Sequence, residues 1–251
     1  MLTEERRNLI IEMVNERKAV TVTELVDALD SSSATIRRDL NALDEEKRII
    51  KVFGGATAIK NPDITTTDDF VAKRVLMNSD EKALISKYAA SLIQDNDFVY
   101  IDAGTTTLEM IDYITNMKAK YITNGIVHAK KLIDKNLDTL IIGGRVKPAT
   151  EAIIGPDGVE CISKYHFTKS FMGTNGISIG AGYTTPDTDE ALIKTEAIKH
   201  TYMNYVLADH SKFNQISSVT FAKVEECCII TDTEPGRMFI DKTVIKTVSK
   251  K

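Results

Sequence analysis

Two groups of residues in this chain have types and spacings suited to chemistry. The first is the run Ser32-Ser33-Ala34-Thr35-Ile36-Arg37-Arg38-Asp39-Leu40. Small and hydroxyl side chains followed by two arginines suit contacts to phosphates and base edges. The second is a series of small polar clusters, each following an apolar run: Asp102-Ala103-Gly104-Thr105-Thr106-Thr107, Thr123-Asn124-Gly125, Gly143-Gly144-Arg145-Val146-Lys147, Gly173-Thr174-Asn175-Gly176 and Asp209-His210-Ser211-Lys212. Glycine, hydroxyl and amide groups at a helix start suit a phosphate or carboxylate. Gly104 lets the backbone approach, Thr105 to Thr107 donate, and Lys147 and Lys212 supply formal charge. Singly, each cluster also reads as a turn with a cap. Five at successive run ends point to a small anionic ligand.

The first group needs a helix to present it. Ile36, Leu40 and Leu43 recur at i, i+4, i+7 and mark the inward face. Ala34, Arg38 and Asn41 fall on the opposite face, with Thr35 and Arg37 on its flanks. Ser32 is placed to cap this helix. Thr21-Val22-Thr23-Glu24 is a capping-box pattern opening a shorter helix through Val22, Leu25, Val26 and Leu29, and Asp30-Ser31 is the turn between the two. An earlier helix spans about Thr3 to Glu16. Ile49 to Phe53 has strand character and ends at Gly54-Gly55. Three short helices and a terminal hairpin predict a winged helix-turn-helix, entering the major groove N-terminus first. A solvated surface or a protein-interaction module would show the same periodicity.

The second group needs strands and helices in alternation. Phe98–Ile101, Lys120–Ile122, Thr139–Ile142, Ser170–Met172, Tyr205–Leu207 and Cys228–Ile230 read as strands. Ala83–Ile93, Leu108–Ile114, Ile126–Ile133 and about Thr188–His200 read as helices. Continuously apolar strands separated by helices predict a parallel sheet covered on both faces. Ligands then bind beyond the C-terminal strand ends. Between the two patterns lie Asn61-Pro62-Asp63 and Thr65-Thr66-Thr67, a linker or a loop of either neighbour.

Composition sets bounds. The 251 residues are 43% hydrophobic and 27% charged, ordinary for a globular protein. No apolar run reaches the ~18 residues of a membrane span, and the first residues read as a charged helix, not a secretory signal. Cys161, Cys227 and Cys228 form no disulfide framework, which suggests a reducing compartment and a cytoplasmic protein. The four histidines have no metal-binding spacing, so no metal and no cofactor are expected. Charge gives no support to DNA binding: residues 1–57 hold eleven carboxylates against nine lysines and arginines. An acidic chain repels phosphate at long range, so a dimer or tetramer is expected to reach useful affinity.

The N-terminal residues resemble the DNA-binding domain of the DeoR family of bacterial transcription regulators. The resemblance rests on Glu4-Glu5-Arg6, Val22-Thr23-Glu24-Leu25, Ser32, Thr35 to Leu40, Leu43 and Val52-Phe53-Gly54-Gly55-Ala56. Two departures are Ser31, where the family usually has an apolar residue, and Phe53, where it commonly has histidine. The remainder resembles the family's sensor domain, through Asp102 to Thr106, Thr123-Asn124, Gly143-Gly144, Gly155-Pro156, Gly173, Gly176, Gly182, Glu190, Lys194, Asp209 and Ser211-Lys212-Phe213. The resemblance implies a Rossmann-like sensor related to ribose-5-phosphate isomerase and CoA transferases, and repression relieved by a phosphorylated sugar. Gly173 to Ser178 and Gly182 to Asp187 are most similar to regulators of fructose operons, which suggests fructose 1-phosphate.

The expected organisation is a winged helix-turn-helix over 1–57 (helix-turn-helix about 20–39), a linker over 58–78 and a sensor over 79–251. Double-stranded operator DNA is expected to meet Thr23, Ser32, Ser33, Ala34, Thr35, Arg37, Arg38, Asn41 and Lys51. The effector is expected to meet Asp102, Gly104 to Thr107, Thr123, Asn124, Gly125, Gly144, Arg145, Lys147, Gly173, Asn175, Gly176, Glu190, Lys194 and Lys212. Glu190 and Lys194 equally read as an i, i+4 pair on a helix surface. The alternative to a repressor is an isomerase-like enzyme with an accessory winged helix. Related isomerases carry a carboxylate in the loop corresponding to Gly173–Gly176, and here Asn175 cannot accept a proton as a base. A DNA-bound activator or architectural protein with a degenerate pocket is the third reading.

Overall fold

The computed structural model describes residues 2–58 and 76–249. The chain divides into two compact units, Met1–Ile64 and Thr65–Lys251. Residues 59–75, most of the expected linker, lie outside the described residues.

In the first unit, α1 (Thr3–Arg17) is followed by β1 (Ala19–Thr21), α2 (Val22–Leu29), α3 (Ser33–Glu45), β2 (Ile50–Val52) and β3 (Gly55–Thr57). The capping box forms as its residue types dictate: Thr21 Oγ1 accepts from Glu24 N, and Glu24 reaches back to Thr21 N. Asp30 closes α2 with a left-handed φ of +45°. Ser32 Oγ then accepts from Thr35 N and starts α3. Ile10, Val14, Leu25, Ile36, Leu40, Leu43 and Ile49 are fully buried in one core. Each such side chain contributes roughly 1.5–3 kcal/mol.

Sequence periodicity did not anticipate β1, which pairs antiparallel with β3 and makes the wing a three-stranded sheet in the order β1-β3-β2. It also left Asp39 unassigned. Asp39 is 2% exposed, with Arg6 Nε 2.6 Å from Oδ2 and Arg7 Nε 3.1 Å from Oδ1. This buried carboxylate binds α1 to α3.

The second unit runs α4 (Ser79–Ser91), β4 (Phe98–Ile101), α5 (Thr105–Tyr113), β5 (Lys120–Thr123), α6 (Ile126–Asp134) and β6 (Asp138–Ile141). A hairpin of β7 (Arg145–Lys147) and β8 (Ala152–Ile154), α7 (Pro156–Ile162) and β9 (Phe167–Gly173) follow. Then come β10 (Gly176–Ser178), β11 (Gly182–Thr185), α8 (Thr188–Lys199), β12 (Thr201–Leu207), β13 (Val219–Ala222), β14 (Cys228–Thr231), α9 (Arg237–Ile240) and β15 (Ile245–Thr247). Seven strands form one parallel sheet in the order β15-β14-β12-β9-β4-β5-β6.

Both faces of the sheet are covered, which explains the uninterrupted apolar strands. Val99, Ile101 and Tyr121 pack with Ile85 and Ala89 of α4 and Met110 and Ile111 of α5. Tyr100, Ile122 and Met172 pack on the other face with Ile162 of α7 and Ile193 and Ala197 of α8. The expected strands and helices are present within one to three residues at most ends. The hairpin β7–β8, the small antiparallel sheet β10-β11-β13 and the edge strand β15 were not expected.

Strand order matters most for the site. From β4 the chain builds outward to β5 and β6, and then returns to the other side of β4 with β9. The order therefore reverses between β4 and β9, and a crevice opens beyond their C-terminal ends, where α/β sheets bind ligands.

Candidate functional site

In the first unit, three hydrogen bonds tie the helices to one another and to the wing. Val22 N donates to Gly54 O at 2.8 Å, Lys51 N donates to Asp44 Oδ1 at 2.8 Å, and Arg6 donates to Asp39. The exposed face of α3 carries Ser33, Ala34, Arg37, Arg38 and Asn41, with Thr35 half-buried. Thr23, Ser32 and Lys51 are also solvent-accessible. Ser32 and Thr35 are engaged with each other, their hydroxyls 2.9 Å apart, in addition to the cap.

The unit's acidic excess is resolved locally. Arg6 and Arg7 are bound to Asp39, Arg17 lies 3.8 Å from Glu24, and Arg48 lies 3.9 Å from Glu46. Arg37, Arg38, Lys47 and Lys51 have no ion-pair partner among the described residues. Two of these four cations lie on α3, one in the turn after it and one on β2, a placement that net charge could not reveal.

In the second unit, a cleft of about 700 Å³, open to solvent, lies at the β4/β9 switch point. Its floor is Asp102, Ala103, Gly104, Thr105 and Thr106 after β4, and Gly173, Thr174 and Asn175 after β9. Thr150, Glu190 and Lys194 form one wall. Leu207, Asp209 and Lys212 beyond β12 form another, and Met77, Asn78 and Lys82 complete it.

The local chemistry follows from the folding of each loop. Leu108 N donates to Gly104 O, the first bond of α5. The amides of Thr105 and Thr106 precede it and are left for a ligand. The Thr107 hydroxyl is not available to a ligand: it accepts from Gly104 N at 3.0 Å and donates to Asp102 O at 2.5 Å. Asp102, 3% exposed, accepts from Gly173 N at 3.1 Å and is ion-paired with Lys194. Lys194 also donates to Gly173 O at 3.1 Å and lies 5.4 Å from the Phe221 ring centre. Glu190 accepts from Thr150 at 3.0 Å, Lys147 at 3.2 Å and Thr185 at 3.3 Å. Lys212 has no ion-pair partner among the described residues. His128 lies beneath the floor and donates from Nε2 to Gly104 O at 2.9 Å. Burial pushes its pKa down to about 4, so the ring is neutral.

Several expected effector residues lie outside the cleft. Thr123 is fully buried and its hydroxyl accepts from Gly125 N at 3.0 Å. Asn124 accepts from Ala103 N at 2.9 Å and donates to Ile153 O at 3.3 Å, so it supports the floor from below. Gly125 packs under His128, and Gly144 against Gly158 and Ile153. Gly176 lies against Gln215 as the first residue of β10. Arg145 is exposed and paired with Asp189 on the outside of the β7–β8 hairpin. Lys147 is spent on Asp187, at 3.1 Å, and Glu190. Asp102, Gly104, Thr105, Thr106, Gly173, Asn175, Glu190, Lys194 and Lys212 are the expected residues that line it.

Glu190 and Lys194 do not form a surface pair. Both point inward and bind different partners. Met77, Asn78, Lys82, Thr150, Thr174 and Leu207 line the cleft without having been expected. Asn78-Ser79-Asp80-Glu81 reads as a helix start, but nothing local places that start at the strand ends.

Comparison with known proteins identifies both units. The DeoR-like helix-turn-helix domain matches residues 6–61, and the DeoR C-terminal sensor domain matches residues 77–233. The HTH-type transcriptional regulator FruR of Bacillus subtilis (strain 168) is 43% identical over 99% of this chain and 99% of its own. The HTH-type transcriptional repressor GlcR of the same organism is 32% identical over 96% of this chain and 93% of its own. A solved ribose 5-phosphate isomerase A from Methanocaldococcus jannaschii is 14% identical over 54% of this chain and 55% of its own, with a TM-score of 0.39, too slight a likeness to carry a conclusion. The relatives are named as regulators, and the isomerase-like alternative finds no support among them. With one family domain matched in each unit and a relative aligned end to end, the chain belongs to the DeoR family of helix-turn-helix transcriptional regulators.

Proposed function

We propose that the protein is a cytoplasmic repressor of a sugar-utilisation operon, released from its operator by a phosphorylated sugar, with fructose 1-phosphate as the effector. The observation that carries this reading is the composition of the cleft. The free amides of Thr105 and Thr106 and the ammonium of Lys212 suit a phosphate. Asp102, Glu190 and Asp209 offer carboxylate acceptors, which suit the hydroxyls of a sugar. Asn175 supplies an amide where proton transfer would need a base, which favours binding over turnover.

On DNA, Arg38 faces away from the core of α3 and reads a base edge, while Arg37 and Lys51 hold phosphates. One short helix on a chain of net charge −4 gives little affinity alone. Two copies presenting paired α3 helices to half-sites one helical turn apart supply the rest.

The test uses the full chain and a labelled duplex selected by the protein from a random-sequence pool. Fructose 1-phosphate is added, with fructose 6-phosphate, glucose 6-phosphate and inorganic phosphate as comparators. Release by fructose 1-phosphate at concentrations where the others are inert is the expected result. Release by another ester would replace the effector. Undiminished binding with all of them would overturn induction by a sugar phosphate.

A further inference from the structure

The wing ends in an aromatic ring that rests on nothing. Val52 pairs with Gly55, so Phe53 and Gly54 are the whole connection between β2 and β3. The connection has two residues, and only the second, Gly54, is left-handed, at φ +83°, as a type II turn requires. Phe53 therefore stands at the tip, fully exposed, with Ile50 and Val52 also exposed along the same strand.

The hairpin cannot fold the ring away. Gly54 O accepts from Val22 N, and Lys51 N donates to Asp44 of α3, both at 2.8 Å. Gly55 lies so close to β1 that a Cβ there would stand 2.2 Å from Val20 O. The ring is thus held at a constant offset from α3. Arg37, Lys51 and Asp44 line the concavity that Phe53 borders; Asp44 is engaged by the Lys51 amide, and neither cation has an ion-pair partner among the described residues. A single apolar tip flanked by free cations is complementary to an anionic polymer with apolar steps inside it. A broad protein partner or a lipid surface would match a wider apolar face.

We propose that Phe53 is a minor-groove wedge. As α3 occupies the major groove, the wing tip enters the adjacent minor groove, and the ring presses on a base step, unstacks it and bends the duplex. Apolar wedges of this kind include phenylalanine, and pyrimidine–purine steps yield to them most easily. Phe53 would then set a preference for a flexible step outside the bases that α3 touches. The proposal rests on reading the first unit as DNA-binding.

The experiment uses the full chain and a duplex it selects from a random-sequence pool. The duplex carries 2-aminopurine at successive flanking positions and a donor–acceptor pair at its ends. The parent should brighten 2-aminopurine at one step and shorten the end-to-end distance. Phe53→Ala should abolish both and weaken binding about tenfold. Its salt dependence should not change, since no charge is lost, and its thermal unfolding should match the parent, since the ring packs on nothing. Phe53→Leu should keep most of the bend. Parent-like affinity and bending by Phe53→Ala would overturn the wedge. So would weaker self-association of DNA-free Phe53→Ala in sedimentation, which would assign the ring to a second copy. A parent protein that selects no duplex would overturn the DNA-binding reading itself, a result separate from a neutral Phe53→Ala.

Discussion

Asn78 Nδ2 donates to Asp209 Oδ1 at 2.9 Å, across 131 positions of sequence. Asn78 is the N-cap of α4, and Asp209 follows β12 at the far wall of the cleft. Asn78 also reaches Ser211 Oγ at 3.3 Å, and its φ of +51° marks a sharp change of direction. Met77 and Asn78, near the first described residues of the second unit, thus stand at the wall of the cleft. A ligand that takes Asp209 for its own hydroxyl competes with Asn78 for that carboxylate.

Asn78→Ala should therefore weaken the communication between effector and operator. In the parent, a tenfold loss of operator affinity on adding effector corresponds to ~1.4 kcal/mol of coupling. By reciprocity, operator DNA weakens effector binding by the same factor. In Asn78→Ala both factors should approach one. Calorimetric titration of effector with and without operator measures this, and an unchanged ratio would remove Asn78 from the relay.

Arg38 and Arg37 should separate in their effects. Arg38→Ala should cost ~1–3 kcal/mol at the selected site and flatten preference at one base position. Arg37→Ala should weaken all sequences alike and lower the salt slope by about one. Binding to operator variants at two salt concentrations distinguishes them, and equal sequence-independent losses would refute the assignment.

Lys212→Ala and Thr106→Val probe the phosphate end of the cleft. Loss of a charge-assisted contact at Lys212 should cost ~1.5–3 kcal/mol, about 10- to 100-fold in effector affinity. Loss of a neutral hydroxyl at Thr106 should cost ~1 kcal/mol, about fivefold. Urea midpoints should stay near the parent's. Parent-like affinity in both variants would place the phosphate elsewhere.

His128 gives stability a pH dependence of known sign. Its pKa is about 4 in the fold and 6.5 as the ordinary value, so the unfolded chain binds the proton first as pH falls. Stability from this residue is complete above pH 6.5 and drains away between 6.5 and about 4, by up to ~3 kcal/mol. His128→Gln keeps a donor to Gly104 O but does not titrate. Its urea midpoint should fall less steeply over that window than the parent's, and identical slopes would show that His128 does not titrate as proposed.

Much of this architecture is local and was legible in the residues. The Thr21–Glu24 box, the Ser32 cap, the i, i+4, i+7 spacing of Ile36, Leu40 and Leu43, and the uninterrupted strands each follow from side-chain preferences over a few positions. The loops after β4, β9 and β12 were legible too, because each is a run of small polar residues directly after an apolar strand. Which loops share a cleft was decided by strand order, a product of packing across the whole sheet. β9 lies beside β4, and so Lys194 meets Asp102 from 92 positions away. The same order leaves Thr123, Asn124, Gly144 and Arg145 to support or flank the site instead of lining it. Charge followed the same division: the sequence supplies nine cations and eleven carboxylates to the first unit, but only the packing of α1 on α3 commits Arg6 and Arg7 to Asp39 and leaves Arg37, Arg38 and Lys51 free. Local preferences choose elements, whereas ion pairs between distant elements exist only once the core has brought those elements together.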